Sequence, residues 1–313
     1  MTAASVLMAL SSALAPMIDA LNKGLVEGYA VVFIVWMRFM GHTVLAGLAV
    51  VLWHRSLRPL RPNKLQFLRG TAQFVSSIAL VWSLRYLSLA TAVILVFSAP
   101  LLVVLLRRIC GRPGADFVNL LLAAAGFAGV LLIYLPTSTA HPLGVALAVA
   151  AALSLSLCFL LTGVTAARSD SLVNSFHVAF PSFLLGLPLL GYGFKVPTTA
   201  DLGPLLALGC LSALCHVLIS AAMRSRVSST VTPIAYLEIP FAMLYGALIF
   251  AQSPTPAEVV SGCSIVLAGL AIACRLHRGE GRTSTRRERQ ALATHPPTGA
   301  FWRPVTGRRR GAR

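Results

Sequence analysis

Residues 31–53 read VVFIVWMRFMGHTVLAGLAVVLW, apolar almost throughout, with Arg38 as the one full charge. Leu143 to Val164 forms a second run of the same kind. Each is about 20 residues long, the length an α-helix needs to cross roughly 30 Å of hydrocarbon. Neither shows the alternation of a strand, so a β-barrel is set aside, and only helices satisfy their own backbone in lipid. The whole chain follows suit, being 57% hydrophobic and 11% charged with mean hydropathy +0.81. A soluble domain carries roughly 25% charged residues. The fold class expected is therefore all-α and integral to a membrane.

Cutting the apolar blocks at charges and Gly/Pro clusters predicts ten spans: 4–22, 30–53, 66–87, 89–107, 116–135, 143–164, 172–194, 203–223, 229–251 and 256–274. The first is kept as a span because no Lys or Arg precedes it, as a signal peptide would require. Orientation follows the positive-inside rule. Arg55, Arg58, Arg61 and Lys64, then Arg107, Arg108 and Arg112, then Arg168, then Arg224 and Arg226 all fall on one side, whereas the other side holds Lys23, Arg85 and Lys195. Both termini are expected to be cytoplasmic.

The net charge of +17 is concentrated in residues 275–313, where Arg275, Arg278, Arg282, Arg286, Arg287, Arg289, Arg303, Arg308, Arg309, Arg310 and Arg313 face only Glu280 and Glu288. This segment reads as a disordered cytoplasmic tail that fixes topology and can touch anionic lipid. Nucleic-acid binding is not expected, since no aromatic-interleaved basic fold accompanies it. The six cysteines sit mostly in apolar blocks without a C-x-x-C pair, so neither a disulfide framework nor a metal site is expected.

Pro100 and Pro240, and likewise Gly129 and Gly269, are each 140 positions apart. That single shift points to a duplication, with repeats over 1–140 and 141–274. Five spans per repeat is an odd number, so the two halves must face opposite ways across the bilayer. Inverted repeats with a site at the midplane are a common plan of secondary transporters.

Several stretches carry a family likeness: Met17-Ile18-Asp19-Ala20-Leu21-Asn22-Lys23, Arg38-Phe39, Arg69-Gly70, Leu84 to Ala90, Phe97-Ser98-Ala99-Pro100-Leu101, Thr232 to Glu238 and Val266 to Leu270. In order and spacing they resemble the ten-helix drug/metabolite transporter superfamily, whose repeat is the EamA domain, and within it the bacterial S-adenosylmethionine uptake-type members. The likeness reaches to about Cys274 and implies a transporter of the inner (plasma) membrane. It departs at Arg107 to Arg112 and Ala251-Gln252-Ser253, where members often carry Gly-Glu, and at Glu238, usually a neutral residue.

Ionisable groups inside spans carry the most information, because each costs roughly 2.5–3.5 kcal/mol to insert and is kept where a partner or a wet cavity exists. Asp19, Arg38, His216 and Glu238 stand out. Asp19 and Lys23 share a helical face, and the second span brings Arg38 back from the same side. The pair reads either as an ion pair locking two helices or as a substrate or coupling site. Glu238 lies near the midplane two residues before Pro240, a residue that frees a backbone carbonyl where a cavity is lined. Its repeat equivalent is Ser98. A carboxylate there is either neutral and hydrogen-bonded or paired with a cationic ligand.

Ser212, His216 and Ser220 form a stripe at i, i+4 spacing that reads as a cavity wall or as interhelical glue. Gln73, Ser76 and Ser77 form a similar face, as do Ser154, Cys158 and Thr162, and the resemblance implies that the third and eighth spans line the cavity. Trp82, Tyr86 and Tyr236 can stack on a planar or cationic ligand, although Trp82 and Tyr86 also suit an interfacial aromatic belt. Asp170, Asp201 and Glu258 flank loops and read as solvated charges. No H-E-x-x-H, G-x-S-x-G or Walker A run occurs, so neither an enzyme nor a bound cofactor is expected.

The expected function is secondary transport of a small polar or amphipathic metabolite, S-adenosylmethionine- or amino-acid-like, cationic or zwitterionic by reason of Glu238 and Asp19, although Arg38 equally suits a carboxylate and the subgroup's name does not carry the substrate over. The rival is a lipid-carrier flippase subunit, or an intramembrane enzyme acting on an amphiphile. A flippase would show a cavity open sideways to lipid. An enzyme would show two reactive groups at one depth. The expected partners are the substrate and the bilayer, and a homodimer is left open.

Overall fold

Lipid offers no hydrogen bonds to a bare backbone. The computed structural model meets that demand with helices alone among the residues it describes, which are 3–56, 60–61, 63–109, 111, 116–131, 141–165, 169–224 and 232–294. The helices are α1 (Ala3–Leu25), α2 (Val31–His54), α3 (Lys64–Ser83), α4 (Leu89–Val96), α5 (Ala99–Ile109), α6 (Phe117–Leu131), α7 (Pro142–Thr165), α8 (Ser171–Gly186), α9 (Thr199–Met223), α10 (Glu238–Phe250) and α11 (Pro256–Thr294). Among the described residues, seven helical segments are long and apolar enough to cross a membrane; Phe117–Leu131 and Ile234–Phe250 are apolar but shorter. α3 has the length yet buries Gln66, Arg69, Gln73, Ser76 and Ser77. Among the described residues, six helices start where a side chain accepts a free N–H: Asn63 from Gln66, Ser88 from Thr91, Asp116 from Asn119, Asp170 from Leu172, Thr198 from Asp201 and Thr255 from Glu258.

Three of the expected spans are not continuous α-helices. The span expected at 89–107 breaks at Phe97 and Ser98 into α4 and α5. Pro100 cannot bond to the carbonyl of Val96 and its ring crowds that oxygen. The Ser98 hydroxyl donates instead to the carbonyl of Leu95 at 2.7 Å. The span expected at 229–251 opens as a 3-10 turn, Thr232–Leu237, and becomes α10 only at Glu238, with Pro240 in its first turn. α8 likewise gives way to a 3-10 turn, Leu187–Tyr192. Residues 132–135 and 229–231 of the expected spans lie outside the described residues. Beyond Arg275, where a disordered tail is expected, the backbone continues as helix to Thr294. Residues 286–292 are mostly Arg, Glu, Gln, Ala and Leu, all good helix formers that let α11 propagate.

α1 packs on α9 and α10, α2 on α8 and α9, α3 on α7 and α8, α5 on α7, and α6 on α11. α4 sits in the middle against α7 and α10, with all eight of its residues buried. Side chains from distant parts of the chain meet at two ends of the bundle. At one, Lys23 donates to the carbonyls of Leu84 and Leu87, Arg85 to those of Val26 and Tyr29, and the Tyr29 hydroxyl to Asp201. At the other, Gln66 donates to Asn174, Arg224 lies 3.9 Å from Asp170, and Arg275 pairs with Asp116 at 2.9 Å.

The acids expected as solvated loop charges are not free. Glu258 is 5% exposed. The hydroxyls of Ser88 and Thr91 reach its Oε1, and Thr255 reaches its Oε2 through N–H and hydroxyl at 2.7 and 3.1 Å. It thereby ties the start of α4 to the start of α11. Replacing Glu258 by Gln removes the charge that four donors share and leaves one oxygen in place of two to accept from them. The loss of charged hydrogen bonds is expected to cost about 1–3 kcal/mol. A thermal melt of detergent-purified protein reads this directly, and an unchanged melting temperature would mean the tie carries nothing.

Candidate functional site

Helices α2 and α9 cross with their backbones in contact. A Cβ built on Gly41 would lie 3.0 Å from the Cα of Gly209, and one on Gly209 would lie 2.8 Å from the Cα of Gly41. Small residues at such a crossing are what bring polar side chains of two apolar helices within reach. About one turn to either side, Arg38 Nε donates to Ser212 Oγ at 3.2 Å. His42, beside Gly41, lies with Nδ1 3.2 Å from Ser212 Oγ and Nε2 2.9 Å from Ser175 Oγ on α8. Its ring stacks on His216, with centroids 5.2 Å apart.

These contacts order themselves. Ser175 donates its proton to the carbonyl of Ala213 at 3.4 Å, so it accepts from His42 Nε2, and a neutral His42 then accepts at Nδ1 from Ser212, whose oxygen accepts from Arg38. The result is a one-way chain of donors from a guanidinium to a backbone oxygen, buried between α2, α8 and α9.

Arg38, 6% exposed, also lies 4.9 Å over the ring of Phe39. Asp19 is within electrostatic range of Arg38, and Glu238 within range of Asp19 and Cys215. Asp19 and Arg38 do not close to an ion pair within 4 Å. Lys23, expected on the same face as Asp19, turns instead to the carbonyls after α3 and lies 5.9 Å over Phe250.

A cavity of about 30 Å³ opens next to His216, lined among others by Arg69, Gln73, Cys158, Thr162 and Asn174. Gln73 donates to Ser77 at 3.3 Å and accepts from the Cys158 thiol at 3.4 Å. Ser98 and Tyr236 stand at the two helix breaks. The Tyr236 ring fills a notch that a Cβ on Gly269 would occupy, and it meets Phe97 edge-on at 6.2 Å. Trp82 lies apart near the end of α3 and is 43% exposed. Of the nine expected site residues, Arg38 is hydrogen-bonded to Ser212, Asp19 lies within electrostatic range of Arg38, and Glu238 lies within range of Asp19. His216 and Gln73 line the cavity, Ser77 is hydrogen-bonded to Gln73, Ser98 and Tyr236 stand at the helix breaks, and Trp82 lies apart.

Sequence reasoning passed over His42, Arg69, Asn174 and Ser175. His42 follows Arg38 by one helical turn inside an apolar run, a spacing that would have flagged it. Gln66, Arg69 and Gln73 recur along one face of α3 and would have flagged Arg69.

No family model matches the chain, so the resemblance to the EamA domain rests on the residues quoted above. A riboflavin transporter of Rhizobium johnstonii is 27% identical over 247 residues, which is 78% of this chain and 76% of that protein. A solved crystal structure superposes with TM-score 0.64 at 18% identity, over 88% of this chain and 99% of the other, a likeness of fold alone. The transporter relative and the apolar helices together support a membrane transporter as the general class.

Proposed function

We propose that this chain is a secondary transporter that moves a small polar or amphipathic metabolite by alternating access between two inverted five-helix halves, 1–140 and 141–274. One observation carries the reading. The charged and hydrogen-bonding residues Asp19, Arg38, His42, His216 and Glu238 are gathered in the interior of a bundle whose remaining surface is largely apolar. Such groups are retained in lipid where they serve a path or a site.

The pattern of helix contacts supports the inverted repeat. α1 on α9 has its counterpart in α7 on α3, α2 on α9 in α8 on α3, and α10 on α1 in α5 on α7, while α2 with α8 and α6 with α11 are their own counterparts. The twin helix breaks, at Phe97-Ser98 and Leu237-Glu238, stand 140 residues apart as the duplication requires. With both termini cytoplasmic in a bacterial inner membrane, the Asn174 end faces the cytoplasm and the Tyr29 end the outside. A cavity of about 30 Å³ holds roughly one water, so a metabolite enters only when the halves part.

Riboflavin is the first substrate to try because of the relative, followed by S-adenosylmethionine and amino acids. Purified protein in liposomes should exchange at least one of these faster than protein-free liposomes, with saturation. A panel in which none exchanges above that background would sink the reading.

A further inference from the structure

We infer that Arg69 and the cavity beside it form a subsite for an anionic group, a carboxylate or a phosphate, on the transported molecule. This deepens the transporter reading and rests on it for the word "transported", though not for the binding itself.

Arg69 is among the largest fully buried side chains, 2% exposed. Its Nη1 donates to Thr165 Oγ1 at 3.3 Å and its Nη2 to the carbonyl of Asn174. Its Nε has no hydrogen-bond partner. Both partners are neutral, and among the described residues no carboxylate lies within ion-pair distance of it.

The chain holds nine acids, and those whose side chains are described are placed elsewhere. Asp19 lies within electrostatic range of Arg38, and Glu238 within range of Asp19. Asp116 pairs with Arg275 and Asp170 with Arg224. Asp201 accepts from Tyr29, and Glu258 from Ser88 and Thr91. Glu27 is exposed on the turn after α1. The two left, Glu280 and Glu288, follow the last span. Arg69 is thus a buried cation whose surroundings supply hydrogen bonds and no countercharge.

The cavity wall agrees in sign. Beside Arg69 it presents the Gln73 amide, the His216 ring and the Ser220 hydroxyl, and no carboxylate. His216 stacks on His42 and lies within electrostatic range of Arg69. A guanidinium taken out of water costs several kcal/mol unless a partner compensates it. Its planar fork matches carboxylate and phosphate oxygens better than any other charged side chain does. The cavity as it stands has room for about one such oxygen. The remainder of the group would take space opened as α3 and α9 separate.

The test is thermal melting of the full-length purified protein in orthophosphate, acetate or chloride at matched ionic strength. The wild type should show a saturable rise in melting temperature with phosphate or acetate over chloride, and the stronger of the two names the group. In Arg69→Gln the half-saturating concentration should rise about ten-fold or more, the scale of one charged hydrogen bond, while Arg69→Lys keeps part of the effect. Should Arg69→Gln fail to fold, His216→Asn serves, with a smaller weakening expected. Equal melting of the wild type in all three salts, or a saturable rise that survives in Arg69→Gln, overturns the subsite. Liposome exchange is read separately: exchange without any anion effect removes the subsite alone. Anion stabilisation without exchange of any compound removes the transporter reading and leaves the subsite.

Discussion

Gly209→Leu should leave little folded protein. The side chain would start 2.8 Å from the Cα of Gly41, 3.1 Å from its carbonyl carbon and 3.3 Å from the backbone N of His42. All three are backbone atoms, so no rotamer change can relieve them and α2 must move away from α9. That movement would open the cluster of Phe33, Ile34, Phe39, Leu205 and Leu208 and part Arg38 from Ser212. Overpacking in a core costs about 1–3 kcal/mol when side chains can adjust and more when they cannot. Gly203, on the same helix, has nothing within 4 Å of its built Cβ. Gly203→Leu should therefore melt within a few degrees of the wild type. Fluorescence-detected size exclusion and melting of the pair would decide it, and equal behaviour of the two variants would refute the crossing as the origin.

The second large effect concerns Arg38. Arg38→Gln removes the cation within electrostatic range of Asp19, which itself lies within range of Glu238. Because Asp19 and Arg38 stand beyond ion-pair distance, the loss of stability is expected to be smaller than the ~3 kcal/mol of a buried pair in contact. The double variant Asp19→Asn/Arg38→Gln, neutral at both places, should recover most of that stability. Transport should stay below a tenth of wild type in both variants, because a neutral pair cannot present charge to a substrate. If the double variant regained transport along with stability, the pair would be a helix lock and nothing more. If Arg38→Gln melted as the wild type does, the charges would not be coupled at all.

What could be read in the sequence followed from one cost, that of polarity in lipid. It picked out Arg38, Glu238 and the Ser212, His216 stripe without any knowledge of their neighbours. It did not reveal whom they meet, since that depends on where α2 and α9 touch, and Gly41 and Gly209 announce this only once the crossing is known. Glu258 shows the same gap. Its partners Ser88 and Thr91 lie 170 and 167 residues away, so nothing local separates it from a solvated loop acid. The break at Ser98 was half legible: Pro100 stops a helix, but where the chain resumes depends on the space left by α7 and α10.

α4 carries a consequence for how the protein is made. Its eight residues are buried on every side, and the walls that bury them come largely from α7, α10 and α11, all synthesised later. While the ribosome is still completing the first half, this helix must wait in lipid with no protein partner around most of it. A segment that waits there can afford almost no polar atoms, and Leu89-Ala90-Thr91-Ala92-Val93-Ile94-Leu95-Val96 has a single hydroxyl, at the end nearest water. Its composition therefore suits two solvents in turn, the bilayer during assembly and the protein interior afterwards.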